Sequence, residues 1–205
     1  MQKRNPSEGS PPRRRGRRDG RPERSGEERL SRFLAYVLRH HPEEAGIDLD
    51  EHGATDLDAL VETLRGQPGF ADITREQIEA LVASESASQR FEIRENRIRA
   101  RYGHSLAQPI QYEPAEPPEF LFHGTTPQDA ETILVEGLNP GERQRVHLSI
   151  DMPASREVGR RRSREPVILQ IDTASARKGG VQFYRGGPTV WLSDTIPPEC
   201  ITRAE

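Results

Sequence analysis

Apolar residues first recur with helical spacing at Leu30, Phe33, Leu34, Val37 and Leu38. This stripe predicts a helix that ends before Pro42, because the residue ahead of a proline is pushed out of the helical region. "TDLDALVETLRG" repeats the pattern with Leu57, Leu60, Val61 and Leu64, and Gly66 stands just beyond. "TREQIEALVAS" predicts a third helix, with Thr74 and Gln77 at capping-box spacing and Ile78, Leu81 and Val82 inward. The period then drops to two. "RFEIRENRIRARYG" predicts a strand, a turn at Glu95-Asn96 and a second strand. Phe91 and Ile93 then share a face with Ile98, Ala100 and Tyr102, and Arg97, Arg99 and Arg101 point together to the other.

Three helices and a β-hairpin are the parts of a winged helix, often a nucleic-acid-binding unit, although a fold alone says little about function. "SLAQPIQYEPAEPPEF" has little periodicity and several prolines, so it predicts a linker. Short strands follow in "FLFHGT", "RVHLS", "PVILQID", "VQFYR" and "TVWLS". "TPQDAETILVEGL" predicts a helix between the first two, with Pro127 in its first turn, Ile133 and Leu134 inward and Gly137 at its end. "DMPASREVGRRR" predicts another. The expected class is α+β and bipartite: a tail over 1–27, a winged-helix lobe over 28–105, a linker over 106–119 and a second lobe over 120–205.

Composition sharpens this division. The chain has 205 residues, 32% hydrophobic against 31% charged, so its apolar residues must be concentrated to build cores. Residues 1–27 have no large apolar side chain after Met1 and cannot offset their ordering entropy, so disorder is expected there. The tail is too charged for a secretory signal, and no stretch approaches a membrane span. A lone Cys200 excludes an internal disulfide and a cysteine-based zinc site. A soluble cytoplasmic protein is expected. The formal charge of −3 conceals arginine clusters in the tail, at 97–101 and at 160–164, which suit local anion sites or solvated surfaces.

Four places carry candidate chemistry. Arg39, His40 and His41 gather at a helix stop, where cations meet the helix dipole favourably by about 0.3–1 kcal/mol, so capping alone would explain them. A metal site would want histidines at i and i+4 or cysteine partners, and neither is present. Arg97, Arg99 and Arg101 repel one another with no acid interleaved along their strand, a tension that a nearby anion would relieve. His123-Gly124-Thr125 leads from a strand into a helix, where glycine admits close approach and amides face outward. His147-Leu148-Ser149 sits on the next strand. Each is equally an ordinary strand end. Arg160, Arg161, Arg162 and Arg164 follow a helix, where a solvated end is the simpler reading. P-loop, Rossmann and paired-carboxylate patterns are missing, which removes the usual supports for nucleotide hydrolases and kinases.

Taken in order, "LSRFLAYVLRHHP", "IRARYGHS", "FLFHGT", "ILVEGLNP", "VHLS", "VGRRR", "PVILQID", "FYRGGPTVWLS" and "IPPE" resemble the RNA 2′-phosphotransferase family of the Tpt1/KptA type, from about Leu30 to about Ile201. The resemblance implies a winged-helix lobe joined to a lobe of ADP-ribosyltransferase fold, with short strands and flanking helices. It implies removal of an internal 2′-phosphate from RNA, typically at a tRNA splice junction, with NAD⁺ consumed as co-substrate and no metal. The RNA phosphate displaces nicotinamide at C1″. Attack by the ribose 2″-OH then frees RNA and ADP-ribose 1″,2″-cyclic phosphate. The family's catalytic tetrad maps to Arg39, His40, Arg99 and Arg161, and its NAD-site pattern to His123, His147 and Val190, with Gly124, Thr125 and Ser149 as further NAD contacts. A monomer acting on RNA and NAD⁺, away from membranes, is expected.

Two departures bear on the site. Gly186-Gly187-Pro188-Thr189 replaces the family's usual Ser-x-Asn-Gly, and His41 stands where arginine is frequent. The rival readings are an ADP-ribosyltransferase that stops after the first transfer, on a nucleic-acid terminal phosphate or a protein, and a non-catalytic winged-helix module that senses NAD⁺ or ADP-ribose.

Overall fold

The computed structural model describes residues 26–204. The chain is α+β, with a three-stranded and a six-stranded antiparallel sheet, each over its own hydrophobic core. Helix α1 (Gly26–Arg39) starts ahead of its first buried leucine, because Glu27 and Glu28 favour the positive end of the helix dipole. The last two residues of the expected tail therefore open α1; the rest of that tail lies outside the described residues. Leu30, Leu34, Val37 and Leu38 face the core, as their spacing predicts. A 3₁₀ turn (Pro42–Ala45) follows.

Strand β1 (Ala54–Asp56), α2 (Leu57–Arg65), α3 (Arg75–Ala83), the short α4 (Glu85–Ser88), β2 (Phe91–Arg94) and β3 (Arg97–Ala100) complete the first lobe. Both bonds of the Thr74–Gln77 capping box form. The hairpin turns through Glu95 (φ 47°) and Asn96 (φ 64°), left-handed angles that match a two-residue turn to the strand twist. Phe91 pairs with Ala100 and Ile93 with Ile98, the expected register. Strand β1 is an addition. Three residues cannot display a period, and only the free edge of β3 makes them a strand. Asp56 ends β1 and caps α2 by accepting from the Ala59 amide, while Asn96 of the hairpin turn donates to its other oxygen at 3.0 Å.

The proline-rich stretch is tied to both sheets. The Gln111 amide donates to the Glu51 carbonyl and the Ala115 amide to that of Phe183. The Gln144 side chain accepts from the Ile110 amide at 2.9 Å and donates to the Leu106 and Gln108 carbonyls, each at 2.8 Å. Lost secondary structure is thus replaced by side-chain and backbone partners across the lobes.

The second lobe contains β4 (Phe120–Thr125), α5 (Pro127–Glu136), β5 (Val146–Ser149), α6 (Met152–Gly159), β6 (Val167–Asp172), α7 (Thr173–Lys178), β7 (Phe183–Arg185), β8 (Val190–Ser193) and β9 (Ile201–Arg203), in sheet order β7-β8-β5-β4-β6-β9. The expected strands are all present; β9 and α7 extend the reading, both too short to show periodicity. Central β4 and β5 carry His123 and His147. Two glycines let α6 lie against β4. A Cβ on Gly124 would fall 2.0 Å from the Ser155 carbonyl oxygen, and one on Gly159 would fall 2.6 Å from Pro166 and 3.2 Å from Gly124. Gly124 is therefore required by helix packing. This contact also sets where Arg160, Arg161 and Arg162 leave α6. Among the described residues no helix is long and apolar enough to cross a membrane.

Candidate active site

Arg39 ends α1 with its guanidinium 5.1 Å from the centre of the Tyr102 ring and 5.9 Å from that of Phe91. Its Nε and Nη2 are buried without a hydrogen-bond partner. Burial draws its pKa below the ordinary arginine value, Arg90 and Arg143 add to this, and Tyr102 opposes it. The group still stays charged at neutral pH. A buried cation with unanswered donors is costly unless an anion joins it.

His40 lies beside Arg39, its Nδ1 2.8 Å from Ser105 Oγ, and the Ser105 amide donates to the Arg39 carbonyl. Burial, then the charges of Arg39, His41 and Arg143, lower the His40 pKa, so the ring is neutral near pH 7. His41 belongs to other company. Its ring packs 4.6 Å from Tyr36, and its Nδ1 is 3.3 Å from Glu43 and 3.6 Å from Glu44.

Arg99 donates to Glu92 through Nε and Nη2 at 2.9 and 2.8 Å. Glu92, only 6% exposed, also meets Arg94 and Arg101, and Arg97 pairs with Asp50 at 2.8 Å. The arginine face read as lacking an acid is thus answered in part, by one carboxylate on the neighbouring strand and by Asp50. Inspection along β3 alone could not show it, because Glu92 lies directly across from Arg99 in the hairpin register. The Arg99 charge still lowers the pKa values of Tyr112 and His104 after burial has set their main shifts.

In the second lobe, His123 Nδ1 donates to the His147 carbonyl at 3.0 Å, since a carbonyl only accepts. Burial holds the His123 pKa down. His147 hydrogen-bonds the Arg145 backbone, yet burial and then Arg143 bring its pKa to about 3, and its Nε2 is buried without a partner. Tyr102 packs edge-on at 5.6 Å from this ring, joining it to Arg39 across the lobes. Thr125 and Ser149 are buried beside these histidines, and Val190 pairs directly with Ser149. The departing loop at Gly186–Thr189 reaches the first lobe: Thr189 Oγ1 donates to Gln89 Oε1 at 2.7 Å, and Gly187 approaches the Gln89 carbonyl.

Arg143 escaped the sequence reading. It is exposed, yet desolvation and then Arg162 lower its pKa, and its own charge lowers those of Arg39, His40, His123 and His147. Its segment, "NPGERQR", shows no period and offers no signal beyond nearness to His147. The adjacent Gln144, whose amide donates to the His104 carbonyl at 3.0 Å, anchors that segment to the first lobe. Within the Arg160–Arg162 run, Arg162 is the member whose charge depresses both His123 and Arg143. Arg161 and Arg162 are both exposed on that turn.

Two histidines with depressed pKa values, one buried and one half-buried, couple stability to pH. His104 is 2% exposed, with Nδ1 3.0 Å from Tyr112 Oη, and burial with the Arg39 charge brings its pKa to about 4. His104 and His147 are both depressed, so the unfolded chain binds more protons than the folded one below about pH 6.5. Their contribution is complete above that pH and is lost on acidification towards the folded values, at about 1.4 kcal/mol per pH unit for each. Urea midpoints from pH 7.5 to 5 are expected to fall accordingly, and His104→Asn should remove one proton's share. An unchanged slope in that variant would rule His104 out as a source.

Arginines and imidazoles from two lobes thus converge, with Arg99 answered by Glu92 and the Nε and Nη2 of Arg39 left without an acceptor. That arrangement suits the class of proteins that hold phosphorylated ligands by charge-assisted hydrogen bonds. Within the class, a family model described as "RNA 2'-phosphotransferase, Tpt1 / KptA family" matches residues 25–195. A probable RNA 2′-phosphotransferase of Bacillus thuringiensis subsp. konkukian is 41% identical over 172 residues, covering 84% of this chain and 92% of the relative. One from Thermococcus kodakarensis is 41% identical over 184 residues, 90% and 99% of the two chains. One from Streptomyces coelicolor is 39% identical over 169 residues, 82% and 91%. The chain belongs to the RNA 2′-phosphotransferase family and is a transferase.

Proposed function

We propose that this enzyme removes an internal 2′-phosphate from RNA with NAD⁺ as the acceptor. The observation that carries the reading is Arg39, a half-buried arginine whose Nε and Nη2 are buried without a hydrogen-bond partner, set beside a neutral His40. The first lobe is read as a winged helix over 28–105, joined by 106–119 to an ADP-ribosyltransferase-like lobe over 120–205. NAD⁺ supplies a ribose that takes up the phosphate as nicotinamide leaves, ending as ADP-ribose 1″,2″-cyclic phosphate. The residues fit such a ligand. The orphaned His147 Nε2 accepts from a hydroxyl, Thr125 and Ser149 offer buried hydroxyls, and Val190 supplies an apolar wall.

In this reading Arg39, Arg99 and the arginine of the 160–162 run grip and orient the RNA phosphate, and stabilise charge that builds on its oxygens. Arg143 adds positive field from the second lobe. His40, neutral and tied to Ser105, moves a proton or donates to the same phosphate.

The deciding experiment incubates the protein with NAD⁺ and a short RNA bearing one internal 2′-phosphate. Complete conversion to the 2′-hydroxyl with nicotinamide and cyclic phosphate released is expected. Persistent ADP-ribosylation of the RNA would favour a transferase that stops early, and no nicotinamide release would favour a sensing module. Arg99→Ala is expected to slow formation of 2′-hydroxyl RNA by about 10²–10³-fold. NAD⁺ affinity should stay nearly intact, because Arg99 lies in the first lobe against Glu92. Wild-type turnover in the variant would remove Arg99 from this role.

A further inference from the structure

One exposed face of α1 leads towards His40. Arg29, Arg32, Phe33, Tyr36 and His40 fall at i, i+3, i+4, i+7 and i+11, a single sector of the helical surface about 16 Å long. Phe70, beyond α2, places its ring 5.1 Å from that of Phe33, and the Arg29 guanidinium lies 5.8 Å above Phe70. These residues line a shallow hollow open to solvent. Arg32 is exposed and Tyr36 is 39% exposed. The track continues from Tyr36 to the stacked His41 ring, and from there to His40 at 6.4 Å between ring centres. Glu44 accepts from Tyr36 Oη at 2.8 Å, and Glu43 engages His41. These two acids block an anionic strand from continuing past the helix end and leave His40 as its way in.

We propose that this face binds the single-stranded RNA on one side of the reactive 2′-phosphate. Phe33, Tyr36 and Phe70 offer π-faces to bases, and Arg29 and Arg32 pair with backbone phosphates. Charge selects this occupant. A second copy of the chain, docked on the same face across a two-fold axis, would bring Arg29 and Arg32 against their own kind. The inference rests on RNA being the substrate, and it adds a flank site outside the reacting cluster.

The test uses the full chain, Arg32→Glu and Tyr36→Ala, with a trinucleotide carrying the 2′-phosphate on its central residue. The same core is also extended by several nucleotides on the 5′ side or on the 3′ side. In the wild type, extension on one side only should lower KM by about tenfold. Arg32→Glu should abolish that gain with kcat and the trinucleotide KM unchanged, and flatten the salt dependence of the extended substrate. Tyr36→Phe should keep the gain that Tyr36→Ala loses. Fluorescence anisotropy with the same RNAs reads the length-dependent affinity without turnover, so it separates failure of this site from failure of the proposed reaction. Three results would overturn the proposal: no benefit from extension, equal effects of Arg32→Glu on short and long RNA, or a changed sedimentation coefficient in the variants, which would assign the face to contacts between copies.

Discussion

Arg39→Met is expected to lower RNA dephosphorylation by about 10²–10³-fold and to leave the fold as stable as the wild type or slightly more so. The reason is the state of the guanidinium. Its Nε and Nη2 are buried with no acceptor, and leaving such groups unanswered costs about 1–3 kcal/mol. Methionine keeps an unbranched stem against Phe91 and Tyr102 and removes that cost. It also loses the two cation–π contacts, each worth about 0.5–2 kcal/mol, so the two terms are of similar size and nearly cancel. Single-turnover assays and urea midpoints at pH 7.5 measure the two quantities separately. Activity within tenfold of wild type would remove Arg39 from the phosphate grip. A large loss of stability would make it a structural residue instead.

The opposite profile is expected of Glu92→Ala, which should cost about 2–4 kcal/mol of stability before any effect on chemistry is considered. Glu92 is the shared acid for Arg94, Arg99 and Arg101. Burial alone would raise its pKa. The Arg99 hydrogen bonds and the charges of Arg101, Arg99 and Arg94 outweigh burial and hold it below the ordinary carboxylate value. Because its folded pKa is depressed, its stabilisation is full above the unfolded carboxylate pKa and is lost as pH falls through the folded value. Alanine leaves three guanidiniums facing one another, so added salt should recover part of the loss by screening. In a double-mutant cycle, Glu92→Ala with Arg99→Ala should cost clearly less than the sum of the single changes. Additivity would mean that the pair does not interact in solution. The cycle also tests whether Glu92 holds Arg99 in place for the phosphate, since Glu92→Ala should weaken turnover more than its stability loss alone explains.

Much of the fold was legible wherever a period ran long enough to be counted. Helices α1, α2 and α3, the hairpin with its Glu95-Asn96 turn, and the strands carrying His123 and His147 all follow from apolar spacing and capping chemistry. Strands β1 and β9 each have three residues and went unread, because a strand so short is created by its neighbour's open edge rather than by its own pattern. The same limit applies to the site. Arg39 and His40 stand out because a helix stops beside them, and His123 and His147 because strands carry them. Arg143 lies in an irregular loop that becomes part of the cluster only when Gln144 ties it to the first lobe.

The sequence by itself determined two cores, the order of their main elements and the motifs that mark the RNA 2′-phosphotransferase family, because periodicity and short motifs are local properties of a chain. Tertiary structure decided which charges are answered. Arg97 and Arg99 are taken up by Asp50 and Glu92, His41 turns to Glu43 and Glu44, and Gly124 is used by α6. The Nε and Nη2 of Arg39 and the Nε2 of His147 are left without hydrogen-bond partners between the lobes. That sorting depends on distances between residues far apart in the chain, and Coulomb and hydrogen-bond energies depend on distance in space and not on separation in sequence.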